Sequence, residues 1–142
     1  MKTVAFIPVK GNSSRIKSKN LQLLDGKPLF LHSLEKLVNC DFIDEVYLDT
    51  ESKEISSEVD CKVLNRDPSL ASNKTDGNKL FMNEVSHVEA DVYIQLLCTS
   101  PFIDAETILR GIEKVKSKEF DSACLVKREK QYRWNDLGPE YD

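Results

Sequence analysis

The sequence contains no apolar segment long enough to cross a membrane, because none approaches the roughly 18 apolar residues that a spanning helix requires. Its first residues also lack the charged region and extended apolar stretch of a secretory signal. These absences indicate a cytoplasmic protein that does not bind membranes. With 40% apolar and 31% charged residues, and only five glycines and five prolines, the 142-residue chain has the composition of one folded domain.

Cysteine and histidine are too sparse and too widely spaced to indicate a zinc site. The two histidines are far apart, and the four cysteines form no C-x-x-C pair. We therefore interpret all four as reduced packing residues: Cys40, Cys61, Cys98 and Cys124. The net charge of -4 argues against a nucleic-acid partner, since the basic residues concentrate in one short segment instead of along a face.

Two common nucleotide-binding motifs are missing as well. No G-x-G-x-x-G follows the first apolar run, which excludes the dinucleotide-binding fingerprint. Gly26-Lys27 is not a Walker motif, because no glycine lies five positions earlier and Pro28 replaces the hydroxyl residue.

The segment from Val4 to Asn20 carries the main functional signal. Its apolar start, Val4 to Val9, is typical of a buried strand in a parallel sheet. The turn that follows contains small residues, Gly11, Asn12, Ser13 and Ser14, and four cations without an acid among them, Lys10, Arg15, Lys17 and Lys19. Flexible backbone with free N–H groups and converging cations is typical of a phosphate-binding loop. A solvated basic turn fits these residues equally well.

Hydrophobic periodicity along the chain predicts alternating strands and helices. We expect strands at 4–9, 45–48, 61–64, 91–98 and 123–126. Helices are expected from Pro28 to about Val38, after a cap at 49–51, from Asp76 or Asn78, and after Asp104. Right-handed crossovers turn such a series into a three-layer α/β/α sandwich around a mostly parallel sheet.

Polar residues without an obvious packing role follow the carboxyl end of each predicted strand, where open α/β sheets bind ligands. Asp49 and Glu51 follow the second strand and are interpreted as caps of the next helix. Arg66 follows the third strand and is either a ligand residue or a surface arginine paired with Asp67. Gln95 lies inside the strongest strand, where it faces a ligand or satisfies backbone groups. The pattern favours a phosphate-bearing ligand.

Three motifs occur in order along the chain. The first is Ile7-Pro8-Val9-Lys10-Gly11-Asn12-Ser13-Ser14-Arg15-Ile16 through Lys19-Asn20, continued by Leu24-Asp25-Gly26-Lys27-Pro28-Leu29. The second is Arg66 with Leu70-Ala71-Ser72, and the third is Gln95 with Thr99-Ser100-Pro101. Together these motifs resemble those of the acylneuraminate cytidylyltransferases, also called CMP-sialic acid synthetases. This resemblance implies a Rossmann-like nucleotidyltransferase fold that transfers CMP from CTP to an acidic keto sugar of eight or nine carbons and releases pyrophosphate.

The resemblance also implies roles for individual residues. Lys10 and Arg15 would hold the triphosphate and Lys19 would stabilise the reacting phosphate, which makes these three the expected catalytic residues. The expected nucleotide-binding set is Lys10, Gly11, Asn12, Ser13, Arg15, Asn20 and Arg66. The expected sugar-binding set is Gln95, Thr99 and Ser100. Mg²⁺ is the implied cofactor, although no metal ligand is matched in this chain, and a homodimer is an expected assembly.

The chain departs from the family pattern at several places, of which two matter most here. Lys10 stands where the family has arginine, a change that keeps the charge but loses the bidentate fork. Family members also continue beyond the position of Asp142, so residues 1–142 are expected to be an incomplete single nucleotidyltransferase domain that carries the nucleotide site. Two alternatives remain: a CTP-binding module without catalysis, and a sugar-phosphate nucleotidylyltransferase of the wider superfamily. The absence of G-x-G-T near the first loop argues against the latter.

Overall fold

A four-stranded parallel sheet forms the centre of the structure, a computed structural model that describes residues 1–11, 18–72, 74–129 and 133–140. In chain order the strands are β1 (Thr3–Pro8), β2 (Leu23–Leu24), β3 (Lys27–Pro28), β4 (Glu45–Thr50), β5 (Lys62–Asn65), β6 (Val92–Gln95), β7 (Arg133–Asn135) and β8 (Gly138–Glu140). The central sheet has the order β5-β4-β1-β6, while β2 with β3 and β7 with β8 form two-stranded antiparallel pairs. The predicted parallel sheet is therefore confirmed.

Within the described ranges, four α-helices connect and cover the strands: α1 (Leu29–Val38), α2 (Lys53–Ser57), α3 (Gly77–His87) and α4 (Ala105–Lys116). Short 3-10 helices lie at Lys19–Leu21 and Pro68–Ala71. The predicted caps of α3 and α4 are confirmed, because Asp76 accepts from the Lys79 amide at 2.8 Å and Asp104 from the Thr107 amide at 2.7 Å. No helix in the described ranges is long and apolar enough to span a membrane.

Side chains alternate across β1 and pack against helices on both faces of the sheet. Ala5 and Ile7 lie in the larger core with apolar residues of α1, α2 and α4. Val4 and Phe6 point to the other face, where Phe81 of α3 and Val88 just after it cover them. This arrangement confirms the predicted three-layer sandwich.

The strand predicted at 123–126 is wrong. Residues 121–129 form no regular structure, and Leu125 and Val126 are 58% and 78% exposed. Among the described residues the sheet ends at β6, so this short apolar run pairs with no neighbouring strand.

Two smaller features depend on tertiary structure. Strands β2 and β3 form a hairpin, whose turn residues Asp25 and Gly26 have positive φ values of 50° and 76°. The packing interpretation holds for Cys40 and Cys98, which are buried, but is wrong for the exposed Cys124.

Candidate functional site

The two ends of the basic loop meet at the carboxyl edge of the sheet. Asn20 Nδ2 donates to the Lys10 carbonyl oxygen at 2.8 Å, and Asn20 Oδ1 accepts from Cys98 Sγ at 3.1 Å. Asn20 is only 6% exposed, so these two bonds tie the loop end to the residues after β6. These contacts bring Lys10 and Asn20 of the first motif close to the segment after Gln95, which belongs to the third motif.

The middle of the loop lies outside the described residues. This part contains the predicted site residues Asn12, Ser13 and Arg15, together with Lys17, and their placement stays a prediction.

Lys19 lies at the second end of the basic loop, in the 3-10 helix that begins after Ser18. Burial raises the pKa of the Cys98 thiol, and the nearby Lys19 ammonium group lowers it. Lys10 and Lys19 are both half-buried, one at each end of the loop. Two cations therefore flank the same edge of the sheet, which suits a polyanionic ligand.

Gly11 lies closely against the segment that follows β4. Its amide donates to Glu51 Oε1 at 2.8 Å, and a Cβ added to Gly11 would lie 2.8 Å from the Ser52 Cβ. Since such a contact is too short, the backbone can approach this far only because residue 11 is glycine.

We expect Gly11→Ala to destabilise the fold by about 1–3 kcal/mol, because Ser52 and the backbone must shift to admit the methyl group. Gly111 in α4 is the matched control, since a Cβ there would meet nothing within 4 Å. Gly111→Ala is expected to stabilise by about 0.5–1 kcal/mol through its higher helix propensity. Urea unfolding measures both, and a Gly11→Ala protein as stable as the parent would contradict the close approach.

Arg66 is buried in a carboxylate clamp at the end of β4. Its Nε and Nη2 donate to the Asp49 carboxylate at 2.9–3.2 Å, and Nη2 also donates to the Asp49 carbonyl at 2.8 Å. Its Nη1 lies 3.6 Å from Glu51 Oε2, and the Arg66 side chain is 3% exposed. The alternative of a surface arginine paired with Asp67 is wrong. Direct contact with cytosine or ribose would require these donors to leave Asp49.

The interpretation of Asp49 and Glu51 as helix caps is also wrong. Ser52 caps α2 by accepting from the Ile55 amide at 3.3 Å, and Thr50 Oγ1 accepts from the Ser52 amide at 3.1 Å. The two carboxylates are thereby free to hold Arg66 and Gly11. An acid near a predicted helix start looks like a cap in sequence, and only the fold shows which direction it faces.

Gln95 points to the α3 face of the sheet, where its Nε2 donates to Glu84 Oε2 at 2.7 Å. Glu84 is fully buried. Burial raises its pKa to about 8, together with a hydrogen bond and the charge of Asp49, while Gln95 and Arg66 act in the opposite direction. Sequence analysis missed Glu84, although its spacing with Phe81 and Val88 places it on the apolar stripe of α3.

The predicted sugar-binding residues Thr99 and Ser100 form the turn after β6. The Ser100 amide donates to the Leu97 carbonyl at 3.0 Å; Thr99 is exposed and Ser100 half-buried. Thr99 directly follows Cys98, which contacts Asn20, so this turn borders the end of the basic loop.

Metal ligation is not supported by the part of the chain that the structure describes. Within it, no group of three or more His, Cys, Asp or Glu side chains could hold a metal ion. The acids Asp49 and Glu51 face the Arg66 guanidinium, which occupies the place where a cation would neutralise them. These donors therefore do not fit the Mg²⁺ that the resemblance implies.

Comparison with known proteins identifies the family. A family model described as "Cytidylyltransferase" matches residues 4–137. The chain is 27% identical over 139 residues to N-acylneuraminate cytidylyltransferase A of Danio rerio, covering 94% of this chain and 32% of that protein. It is 31% identical over 137 residues to CMP-N,N'-diacetyllegionaminic acid synthase of Legionella pneumophila, covering 89% of this chain and 59% of the relative.

Among solved structures, the fold is similar to that of CMP:2-keto-3-deoxy-manno-octonic acid synthetase complexed with CTP. The TM-score is 0.71 at 24% identity, over 82% of this chain and 48% of that one. This likeness confirms the expected nucleotidyltransferase fold. The chain spans between 32% and 59% of the length of these three proteins. Because the family model matches nearly the whole sequence, the chain belongs to the cytidylyltransferase family.

Proposed function

We propose that this chain provides the nucleotide site of a CMP-sugar synthetase, which transfers CMP from CTP to an acidic keto sugar. The sugar hydroxyl next to the carboxyl group forms a bond to the α-phosphorus. The bond between that phosphorus and the oxygen bridging to the β-phosphate breaks, the electron pair leaves with pyrophosphate, and the hydroxyl proton passes to solvent. Acidic eight- and nine-carbon sugars are the proposed acceptors, since the relatives are named for sugars of this class.

The observation that carries this proposal is the closure of the basic loop by Asn20. Its side chain bonds the Lys10 carbonyl and the Cys98 thiol, so Lys10 and Lys19 flank one edge while the turn at Thr99 borders it. A triphosphate needs concentrated positive charge, and the acceptor must lie beside the α-phosphate. The arrangement supports both requirements at the carboxyl edge, where open α/β sheets bind ligands.

The residue roles proposed here come from the family resemblance, together with the placement of the two ends of the basic loop. We assign Lys10 and Arg15 to the triphosphate and Lys19 to the charge that develops on the reacting phosphate. Gly11, Asn12 and Ser13 supply backbone donors to the nucleotide. Asn20 fixes the loop, and Thr99 and Ser100 face the sugar. Arg66 supports the nucleotide site through Glu51 and Gly11, because its Nε and Nη2 are bound to Asp49 and its Nη1 faces Glu51.

Calorimetry with CTP, using ATP and GTP as controls, tests nucleotide binding directly. It is followed by pyrophosphate release with Mg²⁺ and a panel of sialic, legionaminic, pseudaminic and 3-deoxy-manno-octulosonic acids. We expect selective CTP binding, and release with one class of sugar. Lys27→Ala is expected to leave CTP binding unchanged, since Lys27 pairs with Glu35 on α1.

Each outcome has a definite meaning. Selective binding with release establishes the synthetase. Selective binding without release supports the alternative of a CTP-binding module. Failure to bind any nucleotide contradicts the phosphate-binding role of the basic loop.

A further inference from the structure

A buried polar network connects strands β4 and β6 to α3 and to the basic loop. We call Glu84, Gln95, Asp49, Arg66 and Glu51 the Glu84 network. Gln95 on β6 donates to Glu84, Asp49 at the end of β4 holds Arg66, and Arg66 lies 3.6 Å from Glu51. Glu51 in turn accepts from the Gly11 amide at 2.8 Å. The network thus extends from β6 to the start of the basic loop.

The strand register explains why the Glu84 side chain lies close to both Gln95 and Asp49. Phe6 of β1 is opposite Gln95 of β6, and Pro8 of β1 is opposite Asp49 of β4. Gln95 and Asp49 therefore flank β1 on the α3 face, and Glu84 lies above β1 between them. Between these two neighbours, β1 contributes only uncharged side chains.

The charges in the network do not balance when every acid is ionised. Three carboxyls, Asp49, Glu51 and Glu84, face one guanidinium, and Asp49 and Glu84 are both fully buried. As an acceptor, Glu84 Oε1 has no hydrogen-bond partner among the described residues. A proton on Glu84 removes one buried negative charge and lets that carboxyl donate to Asp49, which resolves both problems.

We infer that Glu84 is a positioning residue whose protonated carboxyl holds Gln95 and the Asp49–Arg66 pair in the arrangement that keeps Gly11 against Glu51. Ionisation places two carboxylates side by side in a dry interior, and their repulsion draws Arg66 away from Glu51. Glu51 Oε1 then no longer lies in position to accept from the Gly11 amide, and the basic loop loses this hydrogen bond at its start. The expected effect on CTP binding rests on the proposed function, whereas the expected effect on the Gly11–Glu51 hydrogen bond does not.

The direct test follows the Gly11 amide resonance by NMR between pH 6.5 and pH 9, without ligand. In the parent protein this resonance is expected to shift with a midpoint near pH 8, where Glu84 titrates. In Glu84→Gln, whose neutral amide can still donate and accept, the shift is expected to disappear. The Gly111 amide is an internal reference, and Glu89→Gln, at an exposed glutamate just after α3, is the matched control that keeps the parent's titration.

The CTP affinity provides the second readout. With the pKa of Glu84 raised to about 8, most of this carboxyl is ionised at pH 9, so the parent's CTP affinity should fall by up to about tenfold relative to pH 7. The CTP affinity of Glu84→Gln should change less than twofold between pH 7 and pH 9. Glu84→Ala should bind CTP weakly at every pH.

The two readouts separate the two hypotheses. A Gly11 resonance that does not titrate, or titrates equally in Glu84→Gln, overturns the positioning role. A titrating Gly11 resonance in a protein that never binds CTP supports the positioning role and contradicts the proposed function.

Discussion

Replacing Arg66 by methionine is expected to destabilise the protein by about 3–5 kcal/mol, a large fraction of the roughly 5–15 kcal/mol that a domain of this size possesses. The ion pair of Arg66 with Asp49 is almost inaccessible to water, with side-chain exposures of 3% and 0%. Removing the guanidinium leaves Asp49 as an uncompensated buried charge beside Glu51 and Glu84. Urea unfolding at pH 7 measures the loss.

A second substitution distinguishes the buried charge from lost packing. Asp49→Asn in the Arg66→Met background removes the unpaired charge, so the double variant should recover about 1–2 kcal/mol. Arg110→Met in α4 is the matched control: Arg110 is exposed and bonds Thr107 Oγ1 at 3.0 Å, so its loss should cost less than about 0.5 kcal/mol. If the free energy of unfolding of Arg66→Met lay within about 1 kcal/mol of the parent's, the Arg66–Asp49 ion pair would contribute little to stability.

Lys19→Ala is expected to lower the rate of pyrophosphate release by about 10²–10³-fold while leaving stability nearly unchanged. Its ammonium group lies close enough to Cys98 to lower the pKa of that thiol, yet the side chain is only half-buried. In the role proposed for Lys19, its cation acts mainly on charge that develops during the reaction, so the turnover rate should fall more than the CTP affinity does. Steady-state kinetics at saturating CTP measures the effect.

Lys114→Ala is the control for this experiment. Lys114 lies in the last turn of α4, a helix that runs back toward the amino ends of the strands, so it is remote from the proposed site. It is exposed and lies over the Phe120 ring, 5.3 Å from the centroid. Its removal should leave turnover unchanged. If Lys19→Ala retained the parent rate, the role assigned to Lys19 would be wrong.

Elements with strong local signals were predictable from sequence. The apolar run of β1 and the aspartate caps of α3 and α4 depend on residues close in the chain, and their predictions are confirmed. The run at 123–126 carries a similar apolar signal, but it forms no strand. A strand needs a partner in space, and periodicity does not report whether one is present.

The candidate site was predictable only where its residues belong to contiguous motifs. Lys10, Gly11, Lys19 and Asn20 were proposed from one short segment, and the structure brings both ends of that segment together. The partners of Arg66 and Gln95 were not identified, because Asp49 and Glu84 are 17 and 11 residues away and belong to other elements.

The amino-acid sequence by itself determined the alternation of the four central strands with the helices, the position of the basic loop and the family to which the chain belongs. These properties depend on local pattern and on contiguous motifs. Tertiary structure alone decided that Arg66 is buried against Asp49, that Glu51 holds Gly11, and that Glu84 lies between β4 and β6 with a raised pKa. Burial and charge pairing join residues from separate elements, so they exist only once the sheet register brings those elements together.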